Sequence, residues 1–289
     1  MSVDGFDKLC YNRDMKYPIV FCDFDGTIFD GDRMVVPQRT RLAIDAYRAA
    51  GGIFVLTTGR IYPSILREAG KLGICDGHII CLQGSVGYDI VSGEEEFCFD
   101  LPAKEWHRVA EFCEEKGWIC QIYHDTNYYV ASPNEYSTYY GNYCGVAPTH
   151  VGEALSSWEK GKDWGIHKMI VLSHPDLVPE RMAVLQAQFP HLDISRSGPR
   201  YIEVVSPKAG KGNAVCEMCK RLGYAVEDAV AFGDATNDLS MLAAVGFGVA
   251  TANGYPEALA IADHVCASVD ECGVADVLFG LLEGKLPSE

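Results

Sequence analysis

Short, wholly apolar runs constrain this chain more than any other feature. PIVFCD (18–23), IFVLTT (53–58), HIICLQG (78–84) and DAVAFGD (228–234) hold almost no polar residue before their last positions. A strand with one wet face alternates apolar and polar residues, whereas a strand covered on both faces reads as a continuous apolar run. Helical patterns separate the first three runs. PQRTRLAIDAYRAAG (37–51) opens on Pro37, spaces Leu42, Ile44 and Tyr47 among charges, and closes on Gly51–Gly52. Those are helix start and stop signals. PSILREAGKLG (63–73) is the second such segment. Strand–helix–strand–helix–strand at this spacing predicts a parallel sheet wound by right-handed crossovers.

The pattern changes after residue 84. SVGYDI and EEFCFD flank VSGE as a hairpin, AKEWHRVAEFCEEKG (103–117) is an amphipathic helix, and WICQIYHDTNYYVAS holds two strand-like pieces. An aromatic-rich segment follows, with Tyr136, Tyr139, Tyr140 and Tyr143. Then come a strand at HKMIVLS, a helix at PERMAVLQAQF, and strands at LDISRS and YIEVVS. Hairpins mixed with helices predict an α+β unit with an antiparallel sheet. The α/β alternation returns near residue 210, with helices in GKGNAVCEMCKRLG, ATNDLSMLAAVG, YPEALAIAD and CGVADVLFGLLEG and strands at DAVAFGD and FGVA. The simplest account is an α/β core built from residues 1–83 and 200–289, with an α+β domain, 84–199, inserted at a strand end.

Bulk properties exclude some partners. A formal net charge of −16 over 289 residues argues against binding nucleic acid as a polymer, which needs a basic face. It leaves small phosphate compounds open, since these need only local positive charge. The start MSVDGFDKLCYNRD has mixed charge and no apolar core of a secretory signal, so the expected location is the cytoplasm, with reduced, mostly buried cysteines. No apolar run approaches the roughly 18 residues of a membrane span. The histidines show no metal-ligand spacing. The tryptophans and tyrosines of the inserted segment (Trp106, Trp118, Tyr128, Tyr129, Tyr139, Tyr140) read as core, and Glu94–Glu96 as a solvated hairpin turn.

In open parallel sheets ligands bind beyond the carboxyl ends of the strands. The first run ends in Asp23 and Asp25, the second in Thr58, Gly59 and Arg60, and the 228–234 run in Asp234, with Asn237 and Asp238 just beyond. Lys211 opens the helix after YIEVVSPKAG. Gathered at one rim, the carboxylates repel one another unless a cation sits among them. An all-oxygen set suits Mg²⁺, which also takes a phosphate oxygen. Lys211 and Arg60 balance the incoming anion, and the Thr58 hydroxyl and nearby backbone N–H groups can hold it. A carboxylate held against phosphorus is a competent nucleophile, and a second one two residues on can protonate the leaving oxygen and then activate water.

This set resembles the haloacid dehalogenase superfamily of phosphatases, in its subfamily with a type IIB cap, the Cof-type hydrolases. DFDGT (23–27), TTGR (57–60), SPKAGKGNAV (206–215) and GDATNDLSML (233–242) match its motifs in order. The resemblance implies a Rossmann-like α/β core with the inserted segment as cap. It implies Asp23 as nucleophile and Mg²⁺ ligand, and Asp25 as general acid/base with its backbone carbonyl on the metal. Thr58 would bond the transferring phosphoryl group, with Gly59 and Arg60 beside it. Lys211 would neutralise that group. Asp234 would bind the metal, with Asp238 and Asn237 supporting the site. The implied activity is Mg²⁺-dependent hydrolysis of a small phosphorylated metabolite, foremost a sugar phosphate, by a monomer or homodimer with no nucleic-acid or membrane partner. Phosphoryl transfer to a second hydroxyl, or binding without turnover, remain the alternatives. Gln83 stands where the family has Asn, Ala235–Thr236 replaces Gly-Glu, and Gly254 replaces Ala after Asn253.

Overall fold

The computed structural model describes residues 15–285. In chain order its elements are β1 (Ile19–Cys22), α1 (Gln38–Ala49), β2 (Ile53–Thr57), α2 (Tyr62–Lys71), β3 (His78–Cys81), β4 (Val86–Asp89), β5 (Glu95–Cys98), α3 (Ala103–Glu115), β6 (Ile119–His124), β7 (Asn127–Val130) and α4 (Glu135–Cys144). They continue as β8 (Thr149–His150), β9 (Lys168–Leu172), α5 (Val178–Gln188), β10 (Asp193–Gly198), β11 (Tyr201–Val205), α6 (Lys211–Leu222), β12 (Ala229–Gly233), α7 (Leu239–Ala244), β13 (Phe247–Thr251), α8 (Pro256–Ile261), β14 (His264–Cys266) and α9 (Gly273–Leu282). The chain divides into two compact units. One combines the segment up to Leu56 with the segment from Cys219 onward; the other is Thr57–Met218. Among the described residues no helix is long and apolar enough to cross a membrane.

In the first unit the expected parallel sheet is present. All of β1 is buried. It pairs in parallel with β2, from Ile19↔Ile53 to Cys22↔Leu56, and with β12, from Ile19↔Ala229 to Cys22↔Phe232. β13 and then β14 extend the sheet, also in parallel. β14 was not expected from the sequence, since His-Val-Cys is too short to show a pattern. α1 buries Thr40, Ala43, Ile44 and Tyr47, the i, i+3, i+4, i+7 stripe of an amphipathic helix. It packs against α9. Fully burying a side chain such as Ile44 contributes roughly 1.5–3 kcal/mol. The helix stops at Gly51, whose φ of 90° suits glycine and whose N–H donates to Arg48 O at 2.9 Å.

The second unit holds β3, β4 and β5, paired antiparallel in turn, and a six-stranded sheet in the order β10-β11-β9-β6-β7-β8. The run HIICLQG is not strand to its end: Leu82–Gly84 form a single 3-10 turn, with Gln83 at φ 61°. One face of the six-stranded sheet packs on Trp106, Val109 and Cys113 of α3 and Leu185 of α5, through Ile122, Met169, Val171, Ile202 and Val204. Side chains alternate along a strand. The neighbouring positions, Gln121, Tyr123, Lys168 and Glu203, therefore share the opposite face, and all four are buried. The aromatic-rich segment, assigned no element from sequence, is helix α4. Asn134 caps it by accepting from Ser137 N–H at 2.8 Å, and Arg67 of α2 donates to Cys144 O at 2.6 Å and Gly145 O at 3.0 Å. A cation at a helix C-terminus satisfies carbonyls that the helix leaves unpaired. Trp106, Tyr128 and Tyr140 are buried as expected, but Tyr139 is 60% exposed.

Glu94–Glu96 is not simply a solvated turn. Glu96 Oε2 lies 2.8 Å from Nδ1 of buried His78. Glu95 Oε1 lies 3.2 Å from Nε2 of His167, whose Nδ1 is 2.8 Å from Asp100 Oδ1. Burial opposes charge on the His167 ring, but the Asp100 and Glu95 carboxylates outweigh it and push its pKa up to about 9. The folded value lies above the ordinary 6.5. The stabilisation is therefore full below pH 6.5 and is lost as pH rises through about 9. Its size is on the order of 3 kcal/mol. Urea unfolding across this window should show wild-type stability falling with pH, and His167→Asn should flatten that fall. Parallel slopes for the two proteins would contradict the assignment.

Candidate active site

β1 runs straight into Asp23, whose N–H donates to Phe232 O of β12 at 2.9 Å. The chain then turns sharply, with Phe29 N–H on Phe24 O at 2.8 Å and Gly26 at φ 87°. The turn is held from beneath by the buried, stacked rings of Phe24 and Phe29, 5.0 Å apart. On the adjacent strand β12 ends at Gly233, which delivers Asp234, and the turn Thr236–Asp238 folds Asp238 back. Asp238 Oδ2 accepts the N–H groups of Asp234 and Ala235, both at 3.0 Å. The result is a buried cluster in which one carboxylate oxygen from each of Asp23, Asp234 and Asp238 lies within 4.8 Å of the others.

Like charges at that distance repel by about 3 kcal/mol per pair at an effective dielectric constant near 20. Some of this is offset locally. The Thr27 hydroxyl donates to Asp234 Oδ1 at 2.9 Å and lies 3.5 Å from Asp23 Oδ2. The two N–H groups on Asp238 do the same for one of its oxygens. The donor set consists of hard carboxylate oxygens and fits a hard divalent cation that keeps open positions for water or a substrate oxygen. Asp25 is half-buried in the turn after β1, and its carboxylate is not one of the three in the cluster. Asn237 sits at the exposed middle of the 236–238 turn. Asn253, given no role by its sequence position, clamps the first loop: its amide N–H donates to Gly26 O at 2.7 Å while its carbonyl accepts Val269 N–H at 2.9 Å.

The other sequence-predicted residues lie in the second unit. Thr58 is buried, and its N–H donates to Ile80 O at 2.9 Å. Its hydroxyl oxygen accepts Arg60 N–H at 3.1 Å. The turn 82–84 closes on this segment, with Leu82 N–H on Arg60 O and Gln83 N–H on Thr58 O, both at 3.1 Å. Gly84 then meets the start of α6. At φ 88°, an added Cβ there would overlap the Gly210 carbonyl and lie 2.8 Å from Lys211 N. That close approach brings Lys211, itself buried, into the neighbourhood of Thr58–Arg60. Glycine at position 84 was the one available sequence signal for this packing. The Gln83 amide packs on Gly59, where an added Cβ would lie 2.6 Å from its nitrogen.

A parallel α/β sheet with a buried carboxylate cluster at its strand ends defines a class of phosphate- and metal-handling enzymes. The chain's membership within that class is specific: residues 20–278 match the model of the haloacid dehalogenase-like hydrolases, and the chain belongs to that family. It is 29% identical over 270 residues to a Streptococcus pyogenes serotype M6 protein whose name provisionally makes it a phosphatase, covering 91% of this chain and 98% of the relative. Among solved structures it resembles a Thermotoga maritima protein at 24% identity and a TM-score of 0.81, covering 91% and 97% of the two chains. It also resembles the subclass IIB sugar phosphatase BT4131 at 26% identity and a TM-score of 0.75, covering 91% and 99%. The expectation of a hydrolase of this superfamily therefore holds.

Gly26 gives a direct test of the first loop. A Cβ at this position would stand 2.5 Å from Asp234 Oδ2, at a φ of 87°. Left-handed backbone costs a non-glycine residue about 1–2 kcal/mol, and the added carbon would also displace the Asp234 carboxylate. Gly26→Ala should lower the melting temperature by several degrees and reduce hydrolysis of 4-nitrophenyl phosphate at least about tenfold. Wild-type activity in this variant would show that the Gly26–Asp234 contact is not needed.

Proposed function

We propose that this chain is a Mg²⁺-dependent phosphatase that hydrolyses a small phosphorylated metabolite, foremost a sugar phosphate, through an aspartyl-phosphate. The observation that carries the reading is the buried cluster of Asp23, Asp234 and Asp238 at adjacent strand ends. The names of the relatives support phosphate-ester chemistry, and the likeness to a sugar phosphatase supports that substrate class.

In this reading Asp23, Asp234 and Asp238 would hold Mg²⁺, with the backbone carbonyl of Asp25 as a further oxygen ligand. The bound ion supplies charge that neutralises the phosphoryl oxygens. The Asp23 carboxylate attacks phosphorus, the bond to the ester oxygen breaks, and the Asp25 carboxyl group gives its proton to the leaving alcohol. Asp25, now ionised, takes a proton from water as the water oxygen attacks phosphorus; the new P–O bond forms while the bond between phosphorus and the Asp23 oxygen breaks, which releases phosphate and regenerates the Asp23 carboxylate. Thr58, Gly59 and Arg60 bind the phosphoryl oxygens, and Lys211 balances their charge with Asn237 supporting the site. The Thr58 hydroxyl is suited to this. Its oxygen already accepts the Arg60 N–H, which leaves its own proton to donate to an anion. Residues 84–199 act as the cap, closing to exclude bulk water and opening for release.

The purified chain, assayed with a panel of phosphorylated metabolites, should release inorganic phosphate only with Mg²⁺ present, and a chelator should stop it. Transfer of the phosphoryl group to a second hydroxyl in place of release would overturn hydrolysis as the activity. Asp23→Asn should bring turnover below detection while leaving the unfolding transition in place. Asp25→Asn should slow turnover by about 10²–10⁴. Unchanged rates in either variant would remove that residue from its role.

A further inference from the structure

A charged pair buried in the six-stranded sheet has no place in the chemistry described so far. Lys168 is the first residue of β9 and only 1% exposed. Its Nζ lies 3.0 Å from Oε1 of Glu203 on β11, which is 4% exposed. It also donates to the backbone carbonyl of Gly59 at 3.4 Å and stands 5.0 Å from the centre of the Tyr123 ring. Among the described residues this ammonium thus meets a carboxylate, an aromatic face and a carbonyl in the loop between β2 and α2.

Packing alone does not call for such a pair. Hydrophobic residues of similar volume stabilise a buried position as well or better, and the other face of the same sheet is built from them. What a lysine adds here is reach and charge directed at Gly59. The Gly59–Arg60 peptide is planar, so fixing its carbonyl also fixes the direction of the Arg60 N–H, which points the opposite way. That N–H donates to the Thr58 hydroxyl oxygen at 3.1 Å. The orientation set at one end of the peptide therefore sets, at the other end, which way the threonine proton is free to point.

We propose that Lys168, neutralised by Glu203, is a positioning residue that holds the Gly59 carbonyl and thereby presents the Thr58 hydroxyl and the loop Thr58–Arg60 to a phosphoryl group. This rests on the phosphatase reading above. Lys168 does not touch the substrate in this arrangement; it acts through the peptide of Gly59. Glu203 keeps the ammonium from being a lone buried charge.

Removing one partner alone strands the other charge, so the informative variant removes both. Lys168→Met/Glu203→Gln should fold with a melting temperature within about 5 °C of wild type. It should raise KM for 4-nitrophenyl phosphate and the inhibition constant of orthovanadate, a phosphoryl mimic, by about tenfold or more. Lys168→Arg, which keeps the charge and can still reach Glu203, should recover part of that loss. A merely structural role would lower the yield of active protein and leave KM and the vanadate constant unchanged. A folded double variant with wild-type KM and vanadate inhibition would overturn the proposal. So would a double variant that does not fold, since the pair would then serve the sheet itself. The wild-type protein in the same assay separates the two readings: no phosphate release from wild type refutes the phosphatase assignment and this inference with it, whereas normal wild-type turnover with an unaffected double variant refutes only the inference.

Discussion

Asp23, Asp234 and Asp238 hold like charges within 4.8 Å of one another in a buried site, and the first unit is arranged so that this is tolerable. Parallel pairing puts the carboxyl ends of β1 and β12 at the same edge of the sheet, where an antiparallel pair would place them at opposite edges. The register Cys22↔Phe232 then sets Asp23 and the end of β12 side by side. Thr27 and the N–H groups of Asp234 and Ala235 take up some of the repulsion. The three carboxylate oxygens could hold a divalent ion. Asn253 keeps the first loop in place from outside, through Gly26 and Val269.

The second unit solves a different problem. Its six-stranded sheet has one face sealed by α3 and α5 with ordinary apolar packing. The other face carries a glutamine, a tyrosine, a lysine and a glutamate, all buried. Such groups need satisfied partners at close range. Here the Gln121 amide N–H donates to the Tyr123 hydroxyl at 2.5 Å and Lys168 donates to Glu203 and Gly59, while the Gln121 carbonyl oxygen has no hydrogen-bond partner among the described residues. A sheet with two such different faces is stable on one side and specific in its contacts on the other.

Much of this was legible in the sequence because strong local patterns carried it. The apolar runs at 18–23, 53–58 and 228–234 are strands buried throughout, and their terminal polar residues are those of the carboxylate cluster and the Thr58 loop. What escaped notice depends on contacts distant in sequence or on weak local signals. β14 is three residues long. α4 hides its helical spacing among tyrosines, which favour strands. Glu95 and Glu96 looked solvated because their partners, His167 and His78, are 72 and 18 positions away, and no spacing rule links such pairs. Lys168 and Glu203 are likewise 35 residues apart, the one at the edge of an apolar run and the other in the middle of a strand, and neither signals the other in the sequence.

The pairing of Ile19–Cys22 with Ala229–Phe232 also has a consequence for how the molecule is made. During synthesis β1 emerges early and finds β2 within a few tens of residues, but its partner on the other side is still untranslated. At roughly 5–20 residues per second the wait is on the order of 10–40 s. Through that interval a wholly apolar strand presents an uncovered hydrogen-bonding edge, the kind of surface that recruits other chains. A ribosome-bound fragment that stops short of residue 229 would therefore be an aggregation-prone half-sheet, its edge uncovered until roughly the last fifth of the chain arrives.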